Sequence, residues 1–395
     1  MNKNFLPIIG EYKNSKFILN IISLVEDKTI VIKIGKNYET IFELEQYKCQ
    51  KIILPVQHSI INIKIIADKE KYEFNVNISD NRKINIFNCD NHYLEQTDLW
   101  ERAKPAIFNF HIGDQIYLDE LFMKHANDLQ NKKQIFLRRD VYTEYIKAFS
   151  RKAHILQSGF NIMLGDDHEI VDESLYSKFN KNIVKYLSGE YKRIFIEIQA
   201  SLRFENEIVQ VGNMDFLLID NINTLSYQNY KNNLMQKVLK YKSNNEFLYI
   251  LSPRVPLNFK SSFLNKAIFE VDGDYTNYID FYNLLFDLPQ KVKILCGDAH
   301  IYKSFKITKN EKNIDLILVG TMNSPIDQIE IDENLFHTDD IKCKEIEKIP
   351  KNSFVYINDN IITTEFSEPR NFQKLNYLIR YFKARYEIRK CCCFC

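Results

Sequence analysis

Four short segments of this sequence place carboxylates, imidazoles, a thiol and a phenol directly after apolar runs that are typical of strands. The segments are Asn88-Cys89-Asp90, Gly113-Asp114-Gln115-Ile116-Tyr117, Gly165-Asp166-Asp167-His168-Glu169 and Gly297-Asp298-Ala299-His300. In layered α/β proteins, ligands bind beyond the carboxyl ends of the strands. We therefore expect these four distant segments to form one site.

Acidic, imidazole and sulfur donors that meet at one point require compensating cations. Without them, the side chains repel one another and lose hydration on burial. Mixed donors suit iron, manganese or zinc at one position, and an oxygen-dominated set suits calcium or magnesium at another. Two metal ions roughly 3.5–4 Å apart can hold a phosphate oxygen and a nucleophilic hydroxide. One carboxylate commonly bridges such a pair, and Asp114 is the candidate for this role.

Each residue also has an interpretation without chemistry. A Gly-Asp pair after a strand is often only a turn, and Cys89 alone suits a small buried apolar side chain. His111 suits a core histidine with satisfied hydrogen bonds, and Tyr117 suits an aromatic packing residue. The four consecutive ionisable residues from Asp166 to Glu169 have no such role in packing, so they are the strongest single indication of a site.

The hydrophobic pattern divides the chain into three parts. Residues 1–82 contain apolar runs separated by polar turns about every ten residues, which is typical of an all-β, sandwich-like domain. From Lys83, apolar runs alternate with longer segments of helical character, which predicts an α/β domain over residues 83–368. Residues 369–395 combine a basic amphipathic helix with a cysteine-rich end.

Taken in order, the motifs resemble the PhoD-like alkaline phosphatase/phosphodiesterase family of the calcineurin-like binuclear metallophosphatases. The match covers residues 83–326 and rests on FNCD (87–90), HIGDQIYLDE (111–120), GDDHEIVD (165–172), LSPRVPL (251–257), LCGDAHIY (295–302) and TMNSPI (321–326). The resemblance implies a four-layer α/β/β/α sandwich, in which two mixed sheets pack face to face with helices outside. It also implies a β-sandwich domain in front.

The resemblance further implies a mixed centre of Fe³⁺ and Ca²⁺, for which Mn²⁺ and Zn²⁺ are alternatives. Cys89, Asp114 and Tyr117 match ligands of the iron-type metal, and Asp90 is an alternative to Cys89. The remaining matching metal ligands are Asp167, Asp298 and His300.

The implied reaction is hydrolysis of a phosphomonoester or a phosphodiester, in which a metal-bridging hydroxide attacks phosphorus in line. His168 matches the residue that contacts the phosphate and protonates the leaving group. Asp167, which stands where the wider superfamily has a metal-binding Asn, is the second catalytic candidate. Asp166 and Glu169 are expected to orient their neighbours.

One departure from the family pattern bears on the substrate. Family members often carry an Asp-x-Arg after the mid-chain strand, whereas FLLID is followed here by Asn221, Ile222 and Asn223. Such an arginine would bind the substrate phosphate through two hydrogen bonds, and Arg203 and Arg254 are candidates to replace it. The missing arginine leaves an alternative function open, a catalytically weak or inactive membrane-associated scaffold that retains the metal site.

Composition argues against several other classes. Lys and Arg total 53 against 52 Asp and Glu, a net charge of +1, so no nucleic-acid partner is expected. The N-terminal residues lack the pattern of a secretory signal, and no stretch approaches the roughly 18 apolar residues of a membrane span. The cysteines, four scattered and four within the last five positions, form no disulfide framework, which predicts a cytosolic protein.

The C-terminal segment predicts contact with a membrane surface. Residues 372–395 combine an apolar helical face with basic residues and with cysteines that suit S-acylation or a Cys-x-Cys prenylation signal. Anchoring would make a lipid-linked phosphate ester a reasonable substrate. Two alternatives are a solvated basic helix that packs against the protein and a metal-binding cysteine cluster.

Overall fold

The structure is a computed structural model, and it describes most of the chain. The described residues are 4–25, 28–35, 38–56, 60–67, 70–77, 83–94, 97–171, 178–204, 207–221, 227–257, 278–322, 340–349 and 351–367. The predicted amphipathic helix and the C-terminal cysteines lie outside these residues, so they stay predictions.

Seven strands account for most of the described residues before Lys83. They are β1 (Phe5–Lys13), β2 (Lys16–Ser23), β3 (Lys28–Ile34), β4 (Tyr38–Leu44), β5 (Lys48–Pro55), β6 (Ile60–Ala67) and β7 (Glu70–Asn77). Antiparallel pairing gives two sheets, with orders β1-β2-β5 and β4-β3-β6-β7. Ile30, Ile32 and Ile34 of β3 are buried because alternate side chains of a strand point to the same face.

From Lys83 the chain has the mixed α/β character that the sequence predicts. The strands are β8 (Ile84–Phe87), β9 (Phe108–Ile112), β10 (Phe160–Leu164), β11 (Ile208–Val211), β12 (Met214–Leu218), β13 (Phe247–Ser252), β14 (Lys291–Cys296), β15 (Tyr302–Lys309), β16 (Lys312–Leu318), β17 (Ile341–Ile349), β18 (Asn352–Asn358) and β19 (Ile361–Ser367). The helices are α1 (Leu99–Arg102), α2 (Asp119–Gln130), α3 (Leu137–Ser150), α4 (Ala153–Leu156), α5 (Lys181–Ile198), α6 (Tyr227–Lys240) and α7 (Ile279–Asp287).

These strands form two further sheets, each with a parallel centre. One has the order β10-β9-β8-β18-β19, with β8, β9 and β10 parallel. The other has the order β11-β12-β13-β14-β16-β15-β17, with β12, β13, β14 and β16 parallel. Three of the four candidate segments directly follow β8, β9 and β10, and the fourth follows β14. Parallel strands bring their carboxyl ends to one edge, so the topology gathers the segments.

Aromatic side chains connect the two large sheets. Phe110 of β9 stacks on Phe216 of β12 with ring centroids 4.9 Å apart, and Phe216 stacks on Tyr249 of β13 at 5.0 Å. On the opposite face of β13, Leu248 and Ile250 belong to a buried cluster with residues of α6 and α7. Both faces of these parallel strands are covered, which explains their continuous apolar sequences.

The first N-terminal sheet packs directly on the α/β part. The Asn161 side chain of β10 donates a hydrogen bond to the Ile9 carbonyl of β1 at 2.8 Å. The ring of Tyr12 in β1 stacks on Phe160 of β10 with centroids 5.1 Å apart. A domain boundary near residue 82 stays a prediction. Within the described ranges, no helix has the length and apolar character to cross a membrane.

Gly297 lies where the two large sheets approach each other. A Cβ atom at this position would lie 2.4 Å from Asn88 Oδ1, 2.5 Å from the Ile112 carbonyl oxygen and 2.9 Å from the Pro253 carbonyl oxygen. Because two of these atoms are backbone, we expect Gly297→Ala to lower the free energy of unfolding by about 1–3 kcal/mol. Urea denaturation would measure the change.

Gly189 provides the control for this substitution. It lies on the exposed surface of α5, and a Cβ atom there would meet nothing within 4 Å. Gly189→Ala should therefore stabilise the protein by about 0.5–1 kcal/mol. If both variants gained stability, the close approach at Gly297 would be disproved.

Candidate metal centre

Asp114 lies at the centre of the residues that the sequence predicts as ligands. Its buried carboxylate belongs to three groups of side chains that can bind metal, and the ligand atoms of each group lie within 4.8 Å of one another. The partners of Asp114 are Cys89 with His300, Asp167 with His168, and Asp166 with Asp298. A carboxylate shared by several ligand groups is placed to bridge two cations.

Sulfur, phenol and imidazole donors gather close to Asp114. Cys89 Sγ lies 3.2 Å from Asp114 Oδ2, and the Tyr117 hydroxyl lies 3.5 Å from the same oxygen and 3.1 Å from His300 Nε2. Burial, and then the charges of Asp114 and Asp298, raise the pKa of the Cys89 thiol well above its usual value. A bound cation would reverse this shift, because a metal is bound by the thiolate. The donor set suits iron or zinc.

The group of Asp114, Asp166 and Asp298 consists of carboxylates alone. Burial, and then the charge of Asp167, raise the pKa of Asp166 to about 6. Burial, and then the charge of Asp166, raise the pKa of Asp298 to about 6. Asp114 Oδ1 is buried and has no hydrogen-bond partner in the described part of the structure. Crowded carboxylates with an unpartnered oxygen among them fit a bound divalent cation.

The backbone of the centre is strained at four candidate ligands. The φ angle is 43° at Cys89, 53° at Asp114, 63° at Asp298 and 48° at His300. Residues other than glycine rarely adopt this left-handed conformation, which costs about 1–3 kcal/mol at each position. It persists only where the surrounding structure fixes the backbone, and it is typical of functional sites.

Glu169 fixes the segments that follow β9 and β10. Its buried carboxylate accepts hydrogen bonds from the backbone N–H groups of Asp114 at 3.2 Å, Gln115 at 2.6 Å and Asp166 at 2.8 Å. Burial raises the pKa of Glu169 to about 8, although the three N–H donors act in the opposite direction. The structure therefore gives Glu169 the orienting position that the sequence suggests.

His168 lies beside Asp114 and is held on two sides. Its Nδ1 lies 2.8 Å from Asp119 Oδ2, and its ring stacks on Tyr117 with centroids 4.2 Å apart. Burial lowers the pKa of His168, but Asp119 and the neighbouring carboxylates outweigh it and raise the pKa well above the usual value. The imidazole is thus placed to donate a proton within the group that it forms with Asp114 and Asp167.

Asp90 and His111 lie outside the ligand groups. Asp90 forms an ion pair with the buried Lys152, with Asp90 Oδ2 2.9 Å from Nζ, and Cys89 is the residue of the first segment that joins a ligand group. His111 lies 3.0 Å from Gln115 Oε1 and 3.1 Å from Asn161 Oδ1, through different ring nitrogens. It therefore occupies the position of a core histidine.

The structure adds residues that sequence reasoning did not place at the centre. Asn221, just after β12, donates to Asp166 Oδ1 at 2.7 Å, and Arg254, just after β13, lies with Nε 3.5 Å from the same oxygen. Their positions after strands were a usable signal. Arg203 pairs instead with Asp220, 2.5 Å from Oδ2. Of the two arginines proposed to replace the missing one, Arg254 contacts a candidate ligand.

Comparison with known proteins identifies the fold. Neither the protein-family models nor the curated proteins give a match to this sequence. The structure of PhoD aligns with a TM-score of 0.60 at 8% identity, covering 89% of this chain and 83% of that chain. Purple acid phosphatase PPD1 from yellow lupin (Lupinus luteus) seeds aligns with a TM-score of 0.59 at 11% identity, covering 92% of this chain and 71% of that chain. The predicted resemblance is confirmed at the level of the fold, which this chain shares with PhoD and with this purple acid phosphatase.

Proposed function

We propose that this protein is a metal-dependent phosphoester hydrolase of the PhoD-like phosphatase/phosphodiesterase type. The observation that carries the proposal is the position of Asp114, whose carboxylate is common to three groups of ligand atoms that each lie within 4.8 Å. The groups combine residues from all four strand ends. The fold, shared with two phosphatases, supports the same function.

The donors near Asp114 form two sets that suit two different cations. We assign an iron-type ion, with Zn²⁺ or Mn²⁺ as substitutes, to Cys89, Tyr117, His300 and Asp114. We assign a Ca²⁺-type ion to Asp114, Asp166, Asp167 and Asp298. When bound, the two ions supply the Lewis acidity that activates water and offsets charge on the leaving oxygen.

His168 is the proposed general acid. Asp119 orients its ring through Nδ1, and Asp119, Asp167 and Asp114 favour its protonated form. A protonated imidazole next to the ligand groups can donate a proton to the departing alcohol oxygen. Both phosphomonoesters and phosphodiesters fit this role, because either releases an alcohol.

Arg254 is the proposed phosphate-binding residue in place of the missing arginine. Its side chain is 10% exposed and lies beside Asp166, which belongs to a ligand group with Asp114. The main chain of Arg254 is fixed because its carbonyl accepts hydrogen bonds from the hydroxyls of Tyr230 at 2.9 Å and Ser252 at 2.8 Å. A guanidinium near the centre can bind two phosphate oxygens.

We extend the proposal to the domain architecture of the chain and to its location in the cell. We propose a four-layer α/β/β/α sandwich over residues 83–368 behind a β-sandwich-like domain over residues 1–82. The stacking of Phe110 on Phe216 between two sheets supports the sandwich.

A lipid anchor within residues 369–395 would place a cytosolic enzyme at a membrane, where a lipid-linked phosphate ester is a reasonable substrate.

The first prediction from the proposed function concerns Asp167. Asp167→Ala should lower kcat/KM for bis-p-nitrophenyl phosphate and p-nitrophenyl phosphate by at least 10- to 100-fold, the loss typical of removing even an indirect partner of a metal. Metal analysis of the purified variant should show reduced content. Asp287→Ala, an exposed position at the end of α7, is the control and should match the wild type.

Two outcomes would count against this mechanism. Equal activity of wild type and Asp167→Ala would remove the proposed role of the centre. Metal bound without turnover of a broad panel of phosphate esters would favour the scaffold function.

The second prediction separates Arg254 from Arg203. Arg254→Gln should raise KM and the inhibition constant of inorganic phosphate in parallel, by about 10- to 100-fold, because charged hydrogen bonds contribute about 1.5–3 kcal/mol. Arg203→Gln, which breaks the pair with Asp220, should change neither constant beyond twofold or so. Metal content should be unaltered in both variants. Unchanged phosphate inhibition in Arg254→Gln would rule out phosphate binding by this residue.

The third prediction concerns the C-terminal residues. The full-length chain should sediment with membranes, whereas a chain ending at Lys390 should stay in the supernatant, because the truncation removes the four candidate acylation sites. Fractionation of cells expressing each form measures this. The same distribution for both would exclude lipid anchoring.

A further inference from the structure

Lys152 is a fully buried cation that contacts residues adjacent to two candidate metal ligands. It lies between α3 and α4, and its side chain is 0% exposed. Its Nζ donates to Asp90 Oδ2 at 2.9 Å, to the Gln115 carbonyl oxygen at 3.0 Å and, with longer geometry, to Gln115 Oε1 at 3.4 Å. Lysine is almost never fully buried without a partner, so each of these contacts matters for its stability there.

The partners of Lys152 adjoin two buried candidate ligands of the centre. Asp90 follows Cys89 in the chain, and Gln115 follows Asp114. The Asp90 N–H also donates to the Asp114 carbonyl oxygen at 2.8 Å, which links the same two segments through the backbone. One ammonium group therefore binds both chain segments at the point where their ligands meet.

The surroundings of Lys152 hold this ammonium in place. Nζ lies 5.1 Å from the ring centroids of both Trp100 and Phe149, within the range of favourable cation–π contact. The Gln115 side chain is fixed in turn, because Nε2 donates to the Gly113 carbonyl oxygen at 2.6 Å. The backbone on both sides of Asp114 is thus connected to Lys152.

We propose that Lys152 is a positioning residue of the metal centre, holding the segments of Cys89 and Asp114 at the separation at which both bind one cation. This inference rests on the proposed function only in assuming that the centre binds metal. Lys152 contacts no ligand atom in the described contacts, and it acts through Asp90 and Gln115.

Charge and geometry predict opposite effects when Lys152 is lost. Removing a buried positive charge near the centre would, by Coulomb's law alone, strengthen the binding of another cation. Loss of the positioning bonds would weaken it, since partners of ligands commonly contribute 10- to 100-fold to metal affinity. The direction in which metal affinity changes therefore distinguishes a purely electrostatic effect of Lys152 from a positioning role.

The proposed role of Lys152 predicts an effect on Co²⁺ binding, which is measured without substrate. Co²⁺ titration should give an absorption band from the Cys89 thiolate in the wild type. Lys152→Met should weaken Co²⁺ binding by about 10- to 100-fold and reduce this band. Lys147→Met, the same charge change at a half-exposed position on α3 that pairs with Glu144, is the control and should bind as the wild type does.

A second variant keeps the test decisive if the single substitution impairs folding. Asp90→Asn combined with Lys152→Met leaves no unpaired buried charge, yet it still lacks the bonds to Gln115, so it should fold and still bind Co²⁺ weakly. Wild-type affinity in this double variant, or tighter binding in Lys152→Met, would overturn the proposal. Co²⁺ binding by the wild type without ester hydrolysis would instead overturn the proposed function and leave this inference standing.

Discussion

Mutual repulsion among buried carboxylates is the constraint on which the centre of this protein depends. Asp114, Asp166 and Asp298 form one group of possible ligands, and burial raises the pKa of each of them. They cannot all carry charge in this environment unless a cation joins them. Such a group, with a left-handed backbone at two of its members, fits a bound cation and supports the proposed metal centre.

The scaffold meets this constraint with fixed hydrogen bonds and a favourable topology. Parallel strands deliver three segments to one edge of the five-stranded sheet, and β14 delivers the fourth from the facing sheet. Glu169 joins two of these segments through three backbone N–H groups. Gly297 allows the two sheets to approach, because any side chain there would meet two carbonyl oxygens and an amide oxygen.

Two basic side chains compensate part of the negative charge from within the protein. Lys152 pairs with Asp90, which follows Cys89 in the chain. Arg254 lies beside Asp166, which belongs to the group of carboxylates with Asp114 and Asp298. They differ in accessibility, since the Lys152 side chain is fully buried and that of Arg254 is 10% exposed. This difference suits Lys152 to a structural role at the centre and Arg254 to contact with a substrate anion.

The sequence alone determined the strand-end segments, the mixed α/β character from Lys83 and the residues Cys89, Asp114, Tyr117, Asp167, His168, Asp298 and His300, which the structure brings together. The segments follow from a local signal, namely ionisable residues directly after an apolar run, whereas the roles of the individual residues came from the resemblance to the PhoD-like family. Only the tertiary structure decided that Cys89 faces Asp114 while Asp90 turns to Lys152, since the left-handed backbone at Cys89 sets these directions. It also decided that Asp166 joins a ligand group and that Arg254 lies beside it. These choices depend on contacts between residues distant in the chain, and no pattern in neighbouring residues records them.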